Sequence, residues 1–314
     1  MLFEPKKVLV IGDIILDQYV SGEVSRISPE APIPILDKQK TYYKLGGAAN
    51  VAMNLKMLGA SVWIIGRIGS DSEGEIVKRL LSENDINVDL LVKDEYLPTT
   101  IKTRFMSGTH QLLRVDRESK ESLDNNPDFV ESLDTDLERH FKYFDAIIVS
   151  DYNKGVVCFK LLQKLRDLQY QYAKILVGDT KKTDLNLFRH FTCLTPNKSE
   201  FEKMIGKQID TKWLNEELVK HTEIIKEKYS INQMLVTLSE DGMFARNYSE
   251  CLRIPAVPKE VVDITGCGDT VTAVLTLALA CDYIFFSAVR LANQAAGIVV
   301  SKTGTAYVTQ EDLC

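Results

Sequence analysis

Residues 263–270 read DITGCGDT, a spacing suited to handling a charged group. Gly266 and Gly268 permit a tight turn and let a second molecule approach the backbone closely. The small and apolar run VTAVLTLALA (271–280) that follows reads as a buried helix. A helix's first turn carries free N–H groups and the positive end of the dipole, which together make an anion site. Asp269 stands at that helix start, where a carboxylate is awkward unless it accepts a proton during chemistry. On one reading, the 266–269 backbone holds charge on a transferring phosphoryl group while Asp269 deprotonates the attacking hydroxyl. On the other, Asp269 caps the helix, and spacing alone leaves the two even. Cys267, between the glycines, sits where a thiolate would be stabilised.

Three other stretches could do chemistry. GGAAN (46–50) puts Gly46 and Gly47 before a helix with Asn50 in its first turn. This suits either close approach to a polyhydroxylated ligand or a tight strand-to-helix loop. NKSE (197–200) spaces Asn197 and Glu200 three apart, fit for holding Mg²⁺ through water or for a capping box. In IKTRF (101–105), strand alternation puts Lys102 and Arg104 on one face, with Arg114 in the partner strand. That face reads an anion, or it is a solvated edge. No complete phosphate-loop signature and no G-x-G-x-x-G occurs.

The elements that must position these groups alternate. VLVIGD (8–13), SVWIIGRIG (61–69), AIIVSD (146–151), KILVGD (174–179), FTCLTPN (191–197) and QMLVTLS (233–239) read as strands. Helical patterns lie between most of them, which predicts a mostly parallel sheet covered by helices. Asp13, Asp151, Asp179, Asn197 and Ser239 follow strand-like runs, which predicts one crevice at the strands' carboxyl ends. A proline-bearing section (17–45) and a hairpin at 99–118 with its turn at SGTH do not fit the alternation. They predict a small β lid.

The 314 residues are 45% hydrophobic and 26% charged, with 38 basic against 44 acidic side chains and a formal charge of −6. That balance excludes a nucleic-acid-binding or anionic-membrane surface. The six cysteines form no C-x-x-C pair and the four histidines are scattered. Reduced thiols in a cytoplasmic protein are expected, without zinc. The amino-terminal residues lack a signal-peptide layout, and 271–292 reads as two core helices, not a membrane span.

Taken together and in order, GGAAN, NKSE and DITGCGD resemble the ribokinase-like (PfkB) carbohydrate kinases over essentially the whole chain. Within them, SRISPEAP, TRFMSGTHQLLRVD and SDYNKGVV are most similar to the branch acting on D-glycero-D-manno-heptose 7-phosphate. The resemblance implies a three-layer α/β sandwich as a single domain over 1–314, with lid segments at about 14–45 and 98–118. It implies ATP and Mg²⁺, a small sugar-phosphate substrate and a homodimer through the lid. Asp269 would be the base, with Gly266, Cys267 and Gly268 shaping the anion hole. Asp13, Asp17, Arg26, Gly46, Gly47, Asn50, Lys102, Arg104, Arg114, Asp151 and Lys154 would bind the sugar phosphate. Asn197, Lys198, Ser199, Glu200, Thr237, Ser239, Gly242, Asn293 and Gly297 would line the ATP site, with 293–305 forming part of its wall. The chain departs from the family at Cys267, usually alanine, and at Asn153, usually small. Bifunctional relatives add a nucleotidyltransferase domain with an H-x-G-H motif, which no histidine here forms, so the kinase step alone is expected. A kinase of another sugar, or a sensor without turnover, remains open.

Overall fold

The computed structural model describes residues 2–314 except 133, 134, 136, 211, 213, 258–260 and 303–305. The strands are β1 (Lys7–Gly12), β2 (Ile14–Ile27), β3 (Pro34–Gly47), β4 (Ser61–Gly69), β5 (Leu91–Asp94), β6 (Ile101–Ser107) and β7 (His110–Arg117). They continue with β8 (Ala146–Asp151), β9 (Ile175–Thr180), β10 (Cys193–Leu194), β11 (Gln233–Thr237), β12 (Met243–Arg246) and β13 (Cys251–Ile254). Nine of them form one sheet in the order β13-β12-β11-β10-β9-β8-β1-β4-β5. Pairings from β11 across to β5 are parallel, and β12 and β13 add an antiparallel edge.

Both faces of this sheet are covered, as buried parallel strands require. Alternation within β1 shows it: Val8 and Val10 enter one core, Leu9 and Ile11 the other. The first core also takes up the helices Ala48–Met57, Cys267–Ala280 and Phe285–Val299; the second takes up Phe159–Tyr172 and Leu214–Tyr229. The result is the expected three-layer arrangement. The helix Cys267–Ala280 is buried from Asp269 to Ala280. Its threonines are satisfied internally: Thr270 donates to Asn54 at 2.9 Å, Thr272 bonds Thr195 at 2.9 Å, and Thr276 donates to the Thr272 carbonyl at 2.7 Å. An apolar, fully enclosed helix cannot shift without opening the core, so its first turn is a rigid platform.

The lid is a second sheet, β3-β2-β6-β7. Here β2 pairs antiparallel with β3 and parallel with β6, and β6 pairs antiparallel with β7. The proline-bearing section thus supplies two 14-residue strands of the expected β lid. At the root of the lid, Gly47 adopts φ 59°, and a Cβ there would meet the Asp13 carbonyl at 2.3 Å. The chain turns there from β3 into the helix Ala48–Met57 in a way only glycine accommodates.

Candidate active site

Five adjacent strands deliver the polar residues that the sequence places at strand ends. In sheet order β11, β10, β9, β8 and β1, the segments end on or lead to Ser239, Asn197, Asp179, Asp151 and Asp13. They share one edge of the sheet, but they do not play one part.

Asp13 is spent on the chain itself. Its carboxylate accepts the backbone N–H groups of Tyr152 (2.8 Å), Lys154 (2.9 Å) and Val156 (3.0 Å). Burial pushes its pKa up, and those three bonds counter the rise. It therefore shapes the loop after β8. Asp151 is similarly enclosed, accepting from Thr180 at 2.7 Å and from the Asn153 amide at 2.9 Å.

A cavity of about 150 Å³ lies between the lid and the helix start, lined by Ile15, Asp17, Gly46, Gly47, Lys102, Arg104, Tyr152, Thr265, Gly266 and Asp269. It brings together residues from DITGCGD, GGAAN and the lid. Gly46 is needed there, because a Cβ would meet Asp17 Oδ2 at 2.5 Å. On the lid, Lys102 and Arg104 do share a face, and Arg104 stands opposite Arg114 across the β6–β7 pair. Their charges are less free than alternation suggests. Arg104 is ion-paired to Asp17 and its guanidinium lies over the Tyr19 ring, itself stacked on Tyr42. Arg114 is paired with Asp116 at 3.0 Å. Lys102 has no carboxylate within ion-pair distance among the described residues, and burial pulls its pKa down. Lys154 pairs with Glu118. Arg26 is exposed near the far end of β2, nine residues or roughly 30 Å along the strand from Asp17, so the cavity does not include it.

Asp269 faces this cavity almost wholly buried. Asn50 donates to its Oδ2 at 2.6 Å, and the Tyr152 hydroxyl donates to its Oδ1 at 2.7 Å. Burial raises its pKa to about 6 although both bonds pull downward. That lies in the range where a carboxylate can take a proton and still be ionised at neutral pH. Gly266 precedes the helix in a left-handed conformation, φ 79°. No acceptor lies against the Gly268 and Asp269 amides among the described backbone bonds, and a Cβ on Gly268 would meet nothing within 4 Å. Open amides beside a buried carboxylate can hold an anion and move a proton. Burial, with the Asp269 charge second, pushes the Cys267 thiol up to about 11. Burial thus outweighs the stabilisation that a helix start offers a thiolate, in keeping with Cys267 as a small residue in place of alanine.

Asn197, Lys198, Ser199 and Ser239 line a separate, open recess of about 550 Å³ with Glu202, Gln208 and Ile209. Asn197 and Glu200 form the capping box: Asn197 Oδ1 accepts the Glu200 amide at 2.9 Å, and Glu200 Oε2 accepts the Asn197 amide at 3.0 Å. Thr237 donates its amide to Pro196 at 3.0 Å, which ties β11 to this helix start. Gly242, at φ +80°, lets the chain pass the Ile254 carbonyl, which a Cβ would meet at 2.1 Å. Asn293 donates to the Pro255 carbonyl at 3.0 Å, and Gly297 packs against Val257. These two hold the loop after β13. The end of the expected wall, 303–305, lies outside the described residues.

Sequence reasoning did not single out Tyr152, Ile15 and Thr265 in the cavity. Thr265 lay within DITGCGD, and Tyr152 one residue beyond a strand-end aspartate; Ile15 carried no signal.

The chain matches the family model for pfkB family carbohydrate kinases over residues 5–312. It is 40% identical over 308 residues to the bifunctional protein HldE of Helicobacter pylori (strain HPAG1), covering 98% of this chain and 65% of that protein. To the bifunctional protein HldE of Desulfatibacillum aliphaticivorans it is 39% identical over 314 residues, covering 99% and 63%. The chain thus spans about two thirds of the length of these relatives. Among solved structures, phosphofructokinase-2 from Escherichia coli in complex with potassium superposes with a TM-score of 0.78 at 19% identity, covering 98% and 96% of the two chains. Ribokinase from Arabidopsis thaliana, complexed with ribose and ATP, gives 0.74 at 18%, covering 99% and 98%. These distant likenesses bear on the ribokinase-like fold alone, but the family match runs nearly end to end, and this chain belongs to the pfkB family of carbohydrate kinases.

Proposed function

We propose that this kinase transfers the γ-phosphoryl group of ATP to the anomeric hydroxyl of D-glycero-D-manno-heptose 7-phosphate, giving the 1,7-bisphosphate for ADP-heptose and lipopolysaccharide core synthesis. The observation that carries the chemistry is Asp269: a buried carboxylate with a pKa of about 6, beside open amides, in a cavity roofed by the lid. Asp269 deprotonates the attacking hydroxyl, and the turn at Gly266–Asp269 receives the phosphoryl group. Asp17 and Asn50 hold the sugar hydroxyls. Asn50 Oδ1 is buried without a hydrogen-bond partner, and a ligand hydroxyl would satisfy it. Lys102 and Arg104, with Arg114 nearby, favour a phosphorylated sugar. The resemblance to HldE at 40% identity supports heptose 7-phosphate in particular.

ATP is assigned to the recess at Asn197, Lys198, Ser199 and Ser239. Asn197 and Glu200 would hold its magnesium ion through water. No group of three or more histidine, cysteine or acidic side chains among the described residues is arranged to ligate a metal directly. The surroundings still favour a cation: burial, then the nearby charges of Glu200 and Asp269, hold the Asp179 carboxyl well above its usual value. When bound, magnesium would neutralise charge on the nucleotide phosphates.

We read residues 1–314 as one kinase domain, paired into a homodimer through the lid. Exposed Ile27, Ile33, Leu112, Leu113 and Val115 on the lid support the pairing. A cytoplasmic location follows from the substrates, and no helix among the described residues is long and apolar enough to cross a membrane. The test is ADP formation across a panel of sugars and sugar phosphates. Turnover restricted to heptose 7-phosphate supports the assignment. Preference for another sugar overturns the substrate, and no turnover with any overturns the kinase chemistry.

A further inference from the structure

Tyr152 is a polar residue of the cavity to which the mechanism above gives no task. Its position is fixed from several directions. Its backbone N–H is held by Asp13 at 2.8 Å, and the same carboxylate pins the amides of Lys154 and Val156. Its ring lies beneath the Lys181 ammonium, 4.4 Å from the ring centroid. The hydroxyl thus reaches Asp269 Oδ1 from a loop that has little freedom, at 2.7 Å. Asn50 grips the other oxygen at 2.6 Å, from a helix turn that is itself tied down: the Asn50 carbonyl accepts from Asn54 and Asn54 accepts from Thr270. The carboxylate is therefore clamped on both sides. Each oxygen keeps one lone-pair direction for a substrate hydroxyl.

We propose that Tyr152 is a positioning residue for the transfer: its hydroxyl fixes the rotation of the Asp269 carboxylate and, as a donor, keeps that carboxylate ionised and ready to accept the substrate's proton. This rests on the reading of Asp269 as the base. A donor bonded to a carboxylate favours the charged form, and the bond from Tyr152 does oppose the rise that burial imposes on Asp269. The phenol stays a donor throughout, because burial and the Asp269 charge raise its own pKa well above the usual value. The other titratable and charged groups facing this pair are Asp17 from β2, Lys102 and Arg104 from β6, Asp179 from β9, Lys181 beyond β9, Glu200, Tyr307, and Cys267 on the helix itself. None of them is removed when the Tyr152 hydroxyl is, so a change in the acid limb reports this one bond.

The experiment compares wild type and Tyr152→Phe in the full chain, measuring kcat and both KM values from pH 5 to 9 together with thermal unfolding. Losing a hydrogen bond to a charged group is worth about 10–100-fold in an equilibrium, or about one to two pH units. The acid limb of kcat should move up by that amount, with KM for ATP little changed and the rate recovering towards wild type at high pH. A merely structural role would lower the rate by the same factor at every pH and leave the limb in place; that result overturns the proposal. If the phenylalanine variant does not fold, 3-fluorotyrosine incorporated at position 152 supplies a more acidic phenol. The limb should then move to lower pH, and no downward movement overturns the proposal equally. Failure of wild type to phosphorylate any sugar would instead refute the kinase reading on which this rests.

Discussion

Asp269 and Glu200 are two acids of the proposed active site, held in opposite ways. Asp269 sits on a buried helix, accepts a donor on each oxygen, and faces a small cavity under the lid. Glu200 closes a capping box near an open recess more than three times as large. The proposed sugar side is thus preorganised and enclosed, which suits proton removal at a defined atom. The proposed nucleotide side is open and polar, which suits a phosphate chain and a hydrated cation. Perturbing the first should change the rate; perturbing the second should change what concentration of ligand is needed.

The sharpest way to break that comparison is Asp269→Asn. It keeps the shape and removes the base, so kcat should fall by about 10²–10⁴-fold or more while ATP affinity is little changed. The same substitution should stabilise the fold. The carboxyl pKa is raised from 3.8 to about 6 in the folded protein, so its contribution favours folding below about pH 4 and is lost as pH rises through about 6. At neutral pH the ionised group costs about 3 kcal/mol, at 1.36 kcal/mol per unit. Thermal unfolding at pH 7 and pH 4 checks this: the variant's gain should shrink at the lower pH. Near-normal turnover in the variant would remove Asp269 from the mechanism.

Arg104→Ala comes next. Loss of one charge-assisted contact to the substrate phosphate should raise KM for the sugar phosphate by about 10–100-fold. KM for ATP should stay close to wild type. Because Arg104 is already paired with Asp17, the measurement that matters is the ratio of activities on phosphorylated and unphosphorylated heptose. An unchanged ratio would assign the phosphate to Lys102 or elsewhere.

Glu200→Gln probes the open side more gently. Glutamine keeps an oxygen for the Asn197 amide, so the capping box survives. The magnesium concentration for half-maximal rate should rise, with stability nearly unchanged. A magnesium titration that superposes on wild type would leave Glu200 as a cap only. The smallest effect belongs to Cys267→Ala. With its thiol pushed up to about 11, Cys267 should alkylate more slowly than exposed Cys251 and Cys314, and the alanine variant should remain active. Rapid, ATP-protectable labelling at Cys267 would contradict this.

Local pattern made much of this architecture legible. The apolar run of β1 and the alternation of strand-like and helical segments foretell a sheet covered by helices, and strand-end polar residues foretell the shared edge. The glycine turn with Asp269 foretells the helix start. Partnership over long separations was not legible. The bond from Tyr152 to Asp269 spans 117 residues, and Asp13 holds amides 139 to 143 residues away. A strand-end aspartate that binds a ligand and one that organises a loop look alike until the fold shows which donors arrive. Lys102 and Arg104 teach the same lesson. Their common face follows from the two-residue strand period, but the neutralising contact with Asp17 depends on β2 lying parallel to β6. The antiparallel edge of β12 and β13 escaped because both strands are only four residues long.

The claim that ties the two sides together is that a phosphoryl group arrives at the hydroxyl deprotonated by Asp269, on a sugar whose own phosphate lies under the lid. Phosphorus and proton NMR of the product formed from heptose 7-phosphate and ATP with magnesium tests it directly. The account predicts a new phosphorus resonance coupled to the anomeric proton, with the 7-phosphate resonance retained and ADP formed in equal amount. A phosphate on any other carbon, or turnover with unphosphorylated heptose but not its 7-phosphate, would contradict it.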